Sequence, residues 1–162
     1  MRRLLIPSLV LALATPALAR DPLGVFGGWG VFRDAAPRRC YAIAEPDEQH
    51  DERIRRPFAT FSNWQERGVR MQFHARLRLD RQPGSRATLT VGSETFPLVA
   101  GPADAWAPDA ATDGRIVRAV RQSEWMRVTA RSTGGRIFSD VYALRGAATA
   151  IDATLIGCAR RR

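Results

Sequence analysis

Val69-Arg70-Met71-Gln72-Phe73-His74-Ala75-Arg76-Leu77-Arg78-Leu79 alternates apolar and polar side chains without a break. A β-strand sends successive side chains to opposite faces, so this pattern puts Val69, Met71, Phe73, Ala75, Leu77 and Leu79 on a core and the intervening polar residues in water. A helix would scatter the same apolar residues around its circumference. Shorter runs outward from this stretch follow the same logic: residues 29–33, 39–44, 57–63, 87–91, 94–99, 125–131 and 136–144. Turn chemistry separates them at Asp34-Ala35-Ala36-Pro37, Gln82-Pro83-Gly84-Ser85, Gly92-Ser93 and Thr133-Gly134-Gly135. Many short strands at this spacing predict a mostly β chain, a sandwich or a barrel. Pro97 lacks a backbone donor, which predicts an edge position for its strand.

Two stretches break the rhythm. Residues 113–122 gather Ile116, Val117, Ala119 and Val120 behind Asp113, a candidate N-cap, and predict a short helix. Residues 146–158 carry Ala147, Ala150, Ile151, Thr154, Leu155 and Cys158 at spacings of three and four, a helical stripe that brings Cys158 to the core side. Between strands and helices, residues 100–111 are rich in Ala, Pro and Asp and predict a loop carrying Trp106, a candidate for presentation to a protein partner.

The chain starts with Arg2 and Arg3, an apolar run from Leu4 to Ala14, and Ala17-Leu18-Ala19 before Arg20. That order predicts a cleavable export signal over residues 1–19. The apolar run is well short of the roughly 20 residues a spanning helix needs. The mature chain, residues 20–162, suits a single domain. Its two cysteines, Cys40 and Cys158, are expected to form a disulfide in an oxidising compartment. The bridge would close most of the mature chain into one loop, worth ~4 to 5 kcal/mol in the chain-entropy model.

All 25 basic residues are arginine, and the formal net charge is +9. Positive charge favours acidic partners through long-range attraction. Export removes intracellular nucleic acid from that set and leaves an acidic envelope component, an envelope protein, or peripheral association with a membrane surface. Arg70, His74, Arg76 and Arg78 share the polar face of the long strand and form the candidate anion-binding ridge; like charges at alternate positions need an acidic answer from a neighbouring strand or from outside. The acidic segment around His50, from Glu45 to Glu52, lacks the glycine of a calcium loop and the ligands of a zinc site, so no metal or cofactor is implied. No nucleophile stands in a recognisable catalytic context, which predicts a non-enzymatic protein. Trp29, Trp64, Trp106 and Trp125 are spread one to a segment, as packing residues are.

Taken together, Trp29-Gly30-Val31, the following Arg39-Cys40-Tyr41, Ala105-Trp106 and the closing run Ser139-Asp140-Val141-Tyr142-Ala143-Leu144-Arg145-Gly146-Ala147 with its terminal Cys158 resemble the invasion-associated locus B family of alphaproteobacterial exported proteins. The resemblance implies an immunoglobulin-like β-sandwich in the periplasm or at the outer membrane, and it supports the Cys40–Cys158 bridge. It carries over no reaction, cofactor or catalytic residue. Three functions follow: binding of an acidic envelope component, inhibition or chaperoning of a periplasmic enzyme through the Trp106 loop, and, least supported, an unrecognised hydrolase.

Overall fold

The computed structural model describes residues 20–47 and 55–159; the expected export signal, the His50 segment from residue 48 to 54 and the terminal arginines lie outside the described residues. The elements in chain order are β1 (Asp21–Phe26), β2 (Trp29–Asp34), β3 (Arg39–Ala44), β4 (Phe58–Trp64), a 3-10 turn (Gln65–Arg67), β5 (Val69–Arg76), β6 (Ala87–Val91), β7 (Glu94–Ala100), β8 (Asp104–Trp106), α1 (Ala110–Val120), β9 (Trp125–Arg131), β10 (Ile137–Ala143) and α2 (Ala147–Ala159). The protein is thus mostly β. The strands join into one antiparallel sheet in the order β1-β2-β3-β4-β5-β8-β7-β6-β9-β10.

This sheet is long enough to fold over on itself. The Trp29 indole on β2 donates to the Ala143 carbonyl at the end of β10 at 3.0 Å, and the Asp47 amide beyond β3 donates to Val141 of β10 at 2.9 Å. Strands far apart in the ladder therefore meet, and the sandwich-like shell encloses a single core. Trp29, Phe61, Phe73, Leu89, Phe96, Met126 and Tyr142 are buried in it together with Ile116 of α1 and Ile151 of α2. Trp29, Phe61 and Phe73 stack in tilted pairs with ring centroids 5.7 and 5.6 Å apart, a geometry aromatic quadrupoles favour.

Both helices sit on the inner side of the sheet. α1 starts one turn earlier than its apolar cluster predicts: Asp109, not Asp113, is the N-cap, its carboxylate accepting from the Thr112 amide at 2.7 Å. Asp113 lies inside the first turn, buried, and accepts the Phe73 amide of β5 at 2.8 Å. α2 enters through Gly146 at φ +86°, where a Cβ would fall 2.2 Å from the Phe26 carbonyl oxygen; Gly27 at φ +59° makes the reciprocal approach to Arg145. Only glycine permits both the left-handed backbone and this contact. At the other end of α2, Cys158 bonds Cys40 on β3, with Cα atoms 5.8 Å apart and a sequence separation of 118.

Several boundaries differ from the sequence reading. β1 escapes it because Pro22 and Gly24 interrupt the alternation of Leu23 and Val25. β5 ends at Arg76, so Leu77 and Leu79 follow the strand proper, although Leu77 is still buried. The segment expected as the Trp106 loop holds β8, which pairs with β5 through His74↔Trp106 and Arg76↔Asp104. Pro97 is not on an edge strand, because β7 lies between β6 and β8. β8 pairs only with Val99 and Ala100, however, so the side of β7 at Pro97 that faces away from β6 carries no ladder and a missing N–H costs nothing there.

Candidate functional site

The sheet divides the four residues of the expected ridge. Thr60↔His74 and Phe58↔Arg76 are direct partners across β4 and β5, and the His74 and Arg76 side chains lie on the face opposite the buried Phe73 and Ala75. Asp104 of β8 answers them together: its Oδ1 lies 2.8 Å from His74 Nε2 and 3.0 Å from Arg76 Nε. Trp106 stacks on the His74 ring at 5.1 Å, and Phe58 meets it edge-on at 5.6 Å. Burial among these rings lowers the His74 pKa, against the opposing pull of Asp104. Trp106 is thus a wall of the histidine's environment in mid-sheet, and it is not carried on a protruding loop.

Arg70 and Arg78 leave this group for different reasons. The ladder shifts register between Ser62 and Trp64, pairing Trp64 with Val69 and leaving Arg70 and Met71 together opposite Asn63. Such a bulge breaks the alternation, and Met71 carries φ +54° there. Arg70 consequently lies with Leu155, Cys158 and Ala159 at the end of α2. Arg78, beyond the end of β5, turns to β10, donating to the Ser139 carbonyl at 2.8 Å and placing Nε 3.3 Å from the buried Asp140 carboxylate.

A second constellation, scattered in sequence, gathers where β1, β2 and β3 meet the end of α2. Arg20, Arg33, Arg38 and Arg39 line a cavity of about 380 Å³ together with Asp21 and Asp34. Arg33 pairs with Asp21, while Asp34 takes Arg39 at 3.0 Å and Arg20 at 3.8 Å. Three guanidinium groups therefore share two carboxylates, and the fourth, on Arg38, makes no ion pair among the described residues. The cross-strand pairs Asp21↔Arg33 and Asp34↔Arg39 explain how the cluster assembles. Arg39 is further held between the Tyr41 ring at 4.0 Å and the Trp64 ring at 4.8 Å, and Arg67 covers Trp64 at 4.9 Å. Guanidinium groups stacked in this way keep their planar forks fixed for bidentate contact with phosphate or carboxylate.

Gln65 and Cys158 complete the cavity, and Gln65 Nε2 donates to the Cys158 carbonyl. The disulfide holds α2 against this wall, so it has a role in shaping the cavity as well as in closing the chain. A sequence signal existed in Arg38-Arg39-Cys40, a basic pair beside the bridging cysteine. What was hidden was the convergence of Arg20 and Arg33, which depends on the β1–β2 hairpin. No group of histidine, cysteine, aspartate and glutamate side chains that could hold a metal ion occurs among the described residues. No helix among them is long and apolar enough to cross a membrane.

The molecule belongs by architecture to the disulfide-closed, antiparallel β-shells with helices packed on the inner side. No family model and no curated protein matches the chain. Among solved structures it is similar to the invasion associated protein B from Bartonella henselae, with a TM-score of 0.59 and 12% identity over 82% of this chain and 95% of that one. At this identity the likeness is one of fold, and it agrees with the resemblance carried by the closing run and its terminal cysteine.

Proposed function

We propose that this chain is an exported, non-enzymatic envelope protein of the invasion-associated locus B kind, and that it holds an acidic partner at the arginine-lined cavity beside the disulfide. The observation that carries the reading is the excess of four guanidinium groups over two carboxylates around one concavity. Charge in a concavity with low-dielectric walls attracts counter-charge more effectively than the same charge spread over a convex face. Export supplies the setting: cleavage after Ala19 would add the α-amino group of Arg20 to the same cluster.

The environment of His74 supports the non-enzymatic part. Its Nε2 is taken up by Asp104 and its ring is sandwiched by Trp106 and Phe58. The reading as an enzyme inhibitor or chaperone loses its presenting loop, since Trp106 is part of β8.

Co-sedimentation of the exported protein with acidic and with neutral vesicles over a salt series tests the proposal. Binding to the acidic vesicles alone, weakening as salt shortens the screening length, is the expected result. Equal binding to neutral vesicles, or indifference to salt, would overturn it.

A further inference from the structure

The arginine cavity does not end at the disulfide. A second cavity of about 560 Å³ begins on the other side of Gln65 and Cys158, residues that line both. Its walls include the apolar side chains Trp64, Val69 and Leu155, with Arg70 at the rim. Arg39, which lines the first cavity, stacks on Trp64, which lines the second. The Nε of Arg39 is buried without a hydrogen-bond partner among the described residues. The two cavities thus adjoin across Gln65 and Cys158, the first cationic and the second apolar, each within the volume range of small-molecule sites.

We infer that these two adjoining cavities together bind a single-chain anionic amphiphile lying across Gln65 and Cys158, its phosphate or carboxylate head among Arg20, Arg33, Arg38 and Arg39 and its alkyl chain along Trp64, Val69 and Leu155. The inference rests on the proposed acidic-partner function and narrows it to one ligand class. A free anion would use only the first cavity. A neutral lipid would leave the arginine excess unanswered. An anionic amphiphile satisfies both cavities, because apolar burial and charge-assisted hydrogen bonds are then gained in the same complex.

The test is calorimetric titration of the exported, disulfide-intact protein with decyl phosphate below its micelle concentration, inorganic phosphate and decyl maltoside. Decyl phosphate should bind at least about tenfold tighter than either of the others, the scale set by burying a few methylenes and making one charge-assisted contact. Arg38→Glu and Leu155→Ser should each weaken it, by about tenfold for the charge change, with Val69→Thr as a second change at the apolar end should Leu155→Ser disturb α2. Equal affinity for inorganic phosphate with no response to Leu155→Ser or Val69→Thr would overturn the amphiphile while leaving the acidic-partner reading. Equal affinity for decyl maltoside would overturn the requirement for a charged head. Binding to acidic vesicles without any binding of decyl phosphate would sink this inference alone, and failure of both assays would sink the two together.

Discussion

Two basic regions of this protein differ in how their charge is answered. On β5 and β8, His74 and Arg76 stand side by side on a regular strand face, and one carboxylate, Asp104, on the next strand meets both. At the ends of β1, β2 and β3, four arginines converge on two carboxylates and a cavity. A ladder of hydrogen-bonded strands places a cross-strand neighbour opposite every side chain, so charge on a strand face tends to be neutralised inside the fold. At strand ends the ladder still pairs Asp21 with Arg33 and Asp34 with Arg39, but it adds Arg20 and Arg38 beside them without further carboxylates, and there an excess can persist for something external. Sequence alternation finds the first kind of charge and misses the second.

The largest expected effect removes the frame of the second region. Replacing Cys40 and Cys158 together with alanine should lower unfolding stability by ~4 to 5 kcal/mol, the loop-closure entropy the bridge removes from the unfolded chain. Urea denaturation measures it, and acidic-vesicle binding should fall in parallel because Cys158 lines the cavity. A stable double variant that binds as well as the parent would separate the disulfide from the site.

A second prediction probes the inner support of the first region. Asp113, buried behind Phe73, has its pKa raised to about 6, chiefly by desolvation. Its folded value lies above its unfolded value of 3.8, so the folded state holds the proton more tightly. This contribution to stability is therefore lowest above pH 6 and grows as pH falls through the interval between the two values. Asp113→Asn keeps an acceptor for the Phe73 amide and should raise stability at about pH 8 by up to ~3 kcal/mol, the gain vanishing below about pH 4. A gain that is the same at both pH values would contradict the burial argument.

The smallest effect concerns His74. Burial lowers its pKa, so the folded protein disfavours its charged form and stability should decline slightly as pH drops below 6.5. Asp104 opposes that shift, and Asp104→Asn should therefore steepen the acid-side decline, read from melting temperatures across pH. A flatter profile in Asp104→Asn would show that the carboxylate does not support His74 as the geometry indicates.

The legible parts of the fold were those governed by local periodicity. Phe73, Ala75 and Leu77 announced their burial through alternation, and Ala147, Ala150 and Ile151 announced theirs through helical spacing. Cys40 and Cys158 could be paired because no other cysteine competes. The failures share a physical cause, the dependence of a residue's direction on distant pairing. Arg70 sits in a sequence indistinguishable from regular alternation, yet the bulge opposite Asn63 turns it to the end of α2. Asp113 reads as the cap by sequence, and only its contact with β5 and the Thr112 amide taken by Asp109 show that it lies inside the helix. β8 is three residues long in an Ala, Pro and Asp-rich segment and exists because β5 and β7 offer it ladders on both sides. The arginine cavity could not be seen at all without the β1–β2 hairpin that brings Arg20 and Arg33 to Arg38 and Arg39.

The contrast between the two regions is tested most directly by titrating acidic vesicles with Arg38→Glu and Arg76→Glu side by side, each first shown to melt as a folded protein. The two changes alter net charge equally, so a purely global electrostatic attraction would weaken binding to the same extent in both. The account predicts a loss of about tenfold or more for Arg38→Glu, the scale of one charge-assisted contact, and a much smaller loss for Arg76→Glu. Equal losses would reduce the binding to global attraction, and a larger loss for Arg76→Glu would return the binding surface to the face of β5; either result would contradict the assignment of the cavity.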